Sequence, residues 1–215
     1  GETGMAHLLE HLMFKGSKNY PEPTKEFTRR GFRMNGSTWL DRTNYFASFN
    51  AVDDNLDWAL GWMADAMTNS FIAQSDLDTE MTVVRNEFEM GENNPTSVLL
   101  KRMQSMLFDW HNYGNSTIGA RSDIENVKIE NLQAFYHRYY QPDNAVLTVS
   151  GMFDEKETIE KIEKIFSSIP KPNRQLSAEW TEEPVADGPR TFEIRRAGEA
   201  KVVAVAYRIP SALHA

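Results

Sequence analysis

The chain has no cysteine among its 215 residues, which excludes disulfides and thiolate metal sites and leaves His, Asp and Glu as the available metal ligands. It has no apolar run near the ~20 residues that span a bilayer, and its start carries neither the basic nor the apolar region of a signal peptide. Positive charge is in deficit: 23 Lys and Arg against 31 Asp and Glu give a net charge of −8. No basic patch offsets this, so neither nucleic acid nor an anionic membrane surface is an expected partner. Repeats and low-complexity tracts are absent too. What remains is ordinary globular usage, 40% hydrophobic and 25% charged, in a chain long enough to bury a sizeable core. Gly1 stands first and a motif follows within seven residues, so the sequence is expected to be a fragment of a longer protein whose targeting signal lies outside it.

Periodicity organises the chain into helices and a few strands. Residues 3–15 read as a helix with Thr3 as N-cap and Met5, Leu8, Leu9 and Leu12 on its apolar side. Pro23 opens a helix to Arg30, and Gly31 follows as its stop. Residues 32–40 and 44–51 alternate as a β-hairpin around Asp41, Arg42 and Thr43, with Tyr45, Ala47 and Phe49 on one face. Further helices are expected over 54–69, 75–92 (N-capped by Ser75), 97–109, 123–140 and 154–168, with a strand at 145–151. Four of the nine prolines fall between Pro170 and Pro189, marking a linker. Residues 191–196 and 201–208 are strand-like. The expected class is α+β, an antiparallel-rich sheet with helices packed on it. Residues 1–170 would form one domain, 171–190 a linker, and 191–215 the truncated start of a second, related domain.

The chemistry concentrates at His7, Glu10 and His11. On a helix, positions i and i+4 lie one above the other, so both imidazoles can reach one cation, and Glu10 falls on the same side. Two neutral imidazoles, a carboxylate and an open water position make a catalytic zinc site, where the metal lowers the pKa of its water to ~7. Glu10, left free, can take the water's proton. A third ligand can come from a later helix, where Glu80 and Glu87 lie seven apart on one face; Glu89 is the alternative to Glu87, separated from it only by helical phase. The bland readings are a solvated histidine pair and, for Glu80, a first-turn glutamate favoured by the helix dipole. His111, His137 and His214 have no ligand spacing, and Trp58 and Trp62 read as core packing.

These segments resemble the pitrilysin and insulysin family of zinc metallopeptidases, which also contains the mitochondrial processing peptidases. Gly4-Met5-Ala6-His7-Leu8-Leu9-Glu10-His11-Leu12-Met13-Phe14-Lys15-Gly16 is similar to that family's zinc helix, with the inverzincin order His-x-x-Glu-His. Asn35-Gly36-Ser37-Thr38, Asp41-Arg42-Thr43-Asn44-Tyr45 and Val83-Val84-Arg85-Asn86-Glu87 match as well, and Tyr140-Gln141-Pro142-Asp143-Asn144-Ala145 more loosely. The resemblance implies that His7, His11 and Glu87 bind Zn2+, that Glu10 is the general base and that Glu80 is an auxiliary acidic residue. It also implies that the strand through Asn35 and Gly36 offers backbone groups to an extended peptide, with Gly36 where the family often has alanine. The expected activity is zinc-dependent endopeptidase cleavage of peptides or unfolded polypeptides, with a second homologous half closing over the substrate. The rival readings are a catalytically inactive processing-peptidase-like interaction subunit and a structural metal-binding module. The residues fix no compartment, and the resemblance favours export, to the periplasm in a bacterium.

Overall fold

Five apolar side chains in nine residues decide the first element. Helix α1 (Met5–Met13) buries Met5, Leu8, Leu9, Leu12 and Met13, and a helix this short does not persist in water without such burial. The computed structural model describes residues 2–52 and 54–210. In it α1 starts two residues later than its pattern predicts. Gly4 takes the N-cap position at φ 84°; a Cβ there would stand 2.5 Å from the Ile118 carbonyl oxygen, so glycine alone fits. Thr3 makes a long-range tie instead: its N–H and hydroxyl both donate to Asp123, at 3.0 and 2.6 Å, and its Oγ1 accepts from the Ala120 N–H at 2.8 Å.

Helix α2 (Pro23–Arg30) runs as its proline and Gly31 predict. The hairpin follows, each strand shorter than its alternation suggests. Strand β1 (Arg33–Thr38) pairs antiparallel with β2 (Thr43–Ser48), setting Met34 opposite Ala47, Gly36 opposite Tyr45 and Thr38 opposite Thr43. Met34, Gly36 and Thr38 are half-buried while Arg33, Asn35 and Ser37 are exposed, the alternation of a strand with one covered face. That strand lies against α1.

Among the described residues six α-helices, α3 (Asn55–Asn69), α4 (Gln74–Asn93), α5 (Pro95–Leu107), α6 (Arg121–Glu125), α7 (Ile129–Tyr139) and α8 (Glu155–Phe166), and two 3-10 turns, Asn112–Gly114 and Pro142–Asn144, complete the elements. Ser75 is not the cap of α4; it lies inside the helix, and Ala73 precedes it without a side-chain cap. Asn94 caps α5, its Oδ1 accepting from the Ser97 N–H at 3.0 Å. The single helix expected over 123–140 is two. Asn126 ends α6 by turning its side chain back to the Ser122 carbonyl oxygen, and Lys128 is extended before α7. The α+β class holds, but the named sheet among the described residues has two strands. Residues 145–151, 191–196 and 201–208 have strand-like patterns and no strand pairing, and Val146 and Val203 are more than 90% exposed. Alternation provides a face to bury, whereas a strand also requires a partner to take its N–H and C=O groups. No helix of the described residues is long and apolar enough to cross a membrane. Residues 171–190 have no helix or strand, yet Glu183 is anchored, accepting the N–H groups of Asp109, Trp110 and His111 at 2.7–3.0 Å.

The core gathers α1 with Phe27, Phe32, Trp62, Val84, Leu132 and Tyr136. Trp62 is buried, as is α3's Ala59 and Ala66 side, with Phe27 edge-on to its ring at 4.8 Å. The turn that follows α1 is fixed to α3 by one buried carboxylate. Asp65 accepts from Ser17 Oγ at 2.6 Å, the Asn19 N–H at 2.8 Å, Asn19 Nδ2 at 2.7 Å and Asn69 Nδ2 at 2.9 Å. Burial pushes Asp65 up, but these hydrogen bonds outweigh it and hold the carboxyl below its ordinary 3.8. Asp65→Ala leaves four donors without their acceptor and is expected to cost about 2–4 kcal/mol of stability, measured by denaturant unfolding. A carboxyl depressed on folding contributes stability above its unfolded pKa and loses it as the pH falls through the folded one. The stability gap between wild type and Asp65→Asn should therefore be widest above pH 3.8 and shrink below it in thermal melts.

Candidate metal centre

His7 and His11 stand one turn apart on α1, their ring centroids 4.9 Å apart. Helix α4 packs on α1 and brings two carboxylates, two turns apart, to those imidazoles. Glu87 Oε2 lies 3.5 Å from His7 Nε2 and 3.4 Å from His11 Nε2. One donor atom from each of the three residues falls within 4.8 Å of the others. These separations are long for hydrogen bonds, but they match the edge of a tetrahedron whose centre is about 2.1 Å from each ligand, which is about 3.4 Å. Burial, then the neighbouring His11, holds the His7 imidazole below its ordinary 6.5, against the opposite pull of Glu87 and Glu10. A neutral imidazole is the form that ligates a metal. His7, His11 and Glu87 therefore fit zinc in donor type and spacing, and His7 also in protonation. Glu87 is 40% exposed, leaving that side accessible to solvent. Helical phase separates it from Glu89, which is exposed and borders a small cleft with Arg85, Arg121 and Glu125.

Glu80 lies behind this trio. Its Oε2 is 3.0 Å from His11 Nδ1, and its Oε1 pairs with Lys15 Nζ. Burial raises the Glu80 carboxyl, and the hydrogen bonds from Lys15 and His11 more than reverse this, holding it below its ordinary range. A carboxylate on Nδ1 fixes the tautomer that leaves Nε2 free to ligate and makes that nitrogen more basic. Lys15, two residues past the end of α1, escaped the sequence reading; a cation four residues after His11, in the stretch expected to be helical, was the available signal.

Glu10 points away from the trio's far side toward the hairpin. Thr38 Oγ1 donates to Glu10 Oε2, and Thr38 Oγ1 is 3.4 Å from Thr43 Oγ1 across the strand pair. Gly36 leaves room for the carboxylate: a Cβ there would lie 2.7 Å from Glu10 Oε1. Beyond this layer Tyr45 and Tyr140 join hydroxyl to hydroxyl at 2.7 Å. Burial, then the tyrosine beside it, raises Tyr45 well above its ordinary value, so it stays a neutral phenol. Thr38, like Lys15, was missed as a site residue; it follows Gly36 by two, hence on the same strand face.

Asn35 is on the opposite, exposed face of β1, where its Oδ1 accepts the Gly36 N–H at 2.9 Å. His111 accepts the Tyr113 N–H at 3.2 Å and caps a short 3-10 turn, while His137 lies in the last turn of α7. His214 lies outside the described residues.

Residues 1–121 match insulinase (Peptidase family M16), and residues 126–215 match the Peptidase M16 inactive domain. The zinc protease PqqE of Helicobacter pylori is 32% identical over 219 residues, covering 100% of this chain and 49% of that protein. A crystal structure of a protease from Helicobacter pylori superposes with a TM-score of 0.79 at 31% identity, over 85% of this chain and 45% of that one. The periplasmic protease PqqL from Escherichia coli gives a TM-score of 0.74 at 25% identity, over 83% of this chain and 20% of that one. The chain spans about half the length of the first of these relatives. With the family match extending over more than half of the sequence, and with relatives named as zinc proteases, this chain belongs to the insulinase family of zinc peptidases, family M16.

Proposed function

We propose that this chain contributes the zinc-binding half of a metalloendopeptidase, with His7, His11 and Glu87 as ligands, Glu10 as general base and Glu80 as the carboxylate that orients His11. The observation that carries the reading is the tetrahedral-edge spacing of 3.4–3.5 Å from Glu87 to both imidazoles, with Glu10 one residue from His11 and outside that trio. Zinc bound there supplies Lewis acidity, activating water and polarising the scissile carbonyl. Glu10 takes the proton of the attacking water and passes it to the nitrogen of the leaving amine. Neutral His7 keeps its Nε2 lone pair for coordination. Glu80, charged through Lys15 and His11, keeps the His11 ring from rotating.

Substrate on this reading is an extended stretch of polypeptide that adds to β1 at Asn35 and Gly36 through backbone hydrogen bonds. The Gly36 N–H, now held by the Asn35 side chain, is one donor that such a strand would take. Residues 1–170 act as the catalytic unit, supported by α8 packing on α3 with Lys161 paired to Asp57 at 2.8 Å. Residues 171–190 link it to 191–215, the start of a second related domain, and a homologous half encloses the peptide. Export is proposed from the likeness to a periplasmic protease.

The intact protein is the material for the tests. Glu10→Gln should lower peptide cleavage by about 10²–10⁴-fold with zinc content unchanged; cleavage at the wild-type rate would overturn the mechanism. Glu87→Gln and His11→Ala should lose the metal itself, read by elemental analysis after dialysis. Glu80→Gln should keep the three ligands yet weaken zinc binding by about 10–100-fold, measured by chelator competition.

A further inference from the structure

We infer that Thr38 is the positioning residue for the general base: the β-hairpin, and not the zinc helix on which Glu10 sits, sets the direction of the Glu10 carboxylate. This rests on the proposed role of Glu10. A glutamate on a helix surface has three rotatable bonds, and a base must be held close to one geometry to act in each turnover. Among the described residues, Thr38 Oγ1 is the one side-chain donor to Glu10. It comes from β1, the strand packed against α1, and Thr43 Oγ1 stands 3.4 Å from it on the paired strand, so the donor belongs to a cross-strand threonine pair.

Gly36 supplies the other half of the device. It shares the inward face of β1 with Thr38, and an added Cβ would meet Glu10 Oε1 at 2.7 Å and Cγ at 2.9 Å. The carboxylate therefore rests directly on strand backbone on one side and is hydrogen-bonded on the other. The two oxygens acquire separate tasks. Oε2 is engaged by Thr38, and Oε1 is left to accept the proton when the water O–H bond breaks and its oxygen bonds to the scissile carbon; that proton then leaves Oε1 for the departing amine nitrogen. The strand that carries Thr38 also carries Asn35 and Gly36, so a peptide added to this strand would meet a base aligned by the same piece of backbone.

The test uses Thr38→Val and Thr38→Ser in the intact protein, with Glu10→Gln as reference. Val keeps the branched shape and strand propensity and removes the donor, so it is expected to lower kcat by about 10–100-fold at near-constant KM and full zinc content. Ser restores the hydroxyl and should recover most of the rate. A second readout needs no activity. In the metal-free protein, Thr38→Val should lower the melting temperature by about 2–4 °C when Glu10 is present and by less in a Glu10→Ala background, since the two side chains act as a pair. Wild-type kcat in Thr38→Val with Glu10→Gln inactive would overturn the positioning role and leave the base assignment standing. Equal slowing by Ser and Val, or strictly additive melting shifts, would overturn it as well. If Glu10→Gln cleaved at the wild-type rate, the base assignment would fall, and this inference with it.

Discussion

The site depends on the burial of one short helix. Leu8, Leu9 and Leu12 are at most 1% exposed, and the same nine residues that carry them carry His7, Glu10 and His11. The apolar side of α1 is clamped between the hairpin, α4 and α7, which fixes the helix in rotation as well as position. A rotation of one residue step would turn the imidazoles away from Glu87 and Glu80. The metal trio is therefore a product of packing density: close-packed side chains allow one angular setting of α1, and that setting brings nitrogen and oxygen to tetrahedral-edge distances.

Around that fixed helix the neighbouring elements divide the work. Helix α4 supplies negative charge at two depths, Glu87 in reach of both imidazoles and Glu80 behind His11. The hairpin supplies neutral groups, with Thr38 on Glu10 and the Tyr45–Tyr140 pair beneath. The carboxylates thus face the ring nitrogens, while hydroxyls face the carboxylate expected to carry a proton.

Most of the trio was legible because helical spacing is a local property. His7 and His11 at i, i+4, and Glu80 and Glu87 at i, i+7, are fixed by the backbone repeat wherever the helices go. The choice of Glu87 over Glu89 needed the angular phase of α4, and only its docking on α1 provides that. Thr38 and Lys15 were invisible for a related reason: each acts by contact across elements, and their residue types are common on exposed surfaces. Thr3 looked like an N-cap in sequence, but a crossing of two backbones at Gly4 and Ile118 overrides the local preference. The strand-like segments after residue 144 failed differently. Their side-chain pattern is correct for a sheet, and no described strand lies alongside to complete the ladder.

The tie between Thr3 and Asp123 spans 120 residues and has a consequence for synthesis on the ribosome. Helix α1 is made before Asp123, Leu132 and Tyr136, against which its start and its leucines rest. At about 5–20 residues per second that delay is about 6–24 s. Throughout it, Leu8, Leu9 and Leu12 have only part of their packing, from the hairpin and the helices that precede α7. The nascent chain must shield them, by transient local collapse or by a chaperone. A helix made before its partners thus completes its packing only once they have emerged.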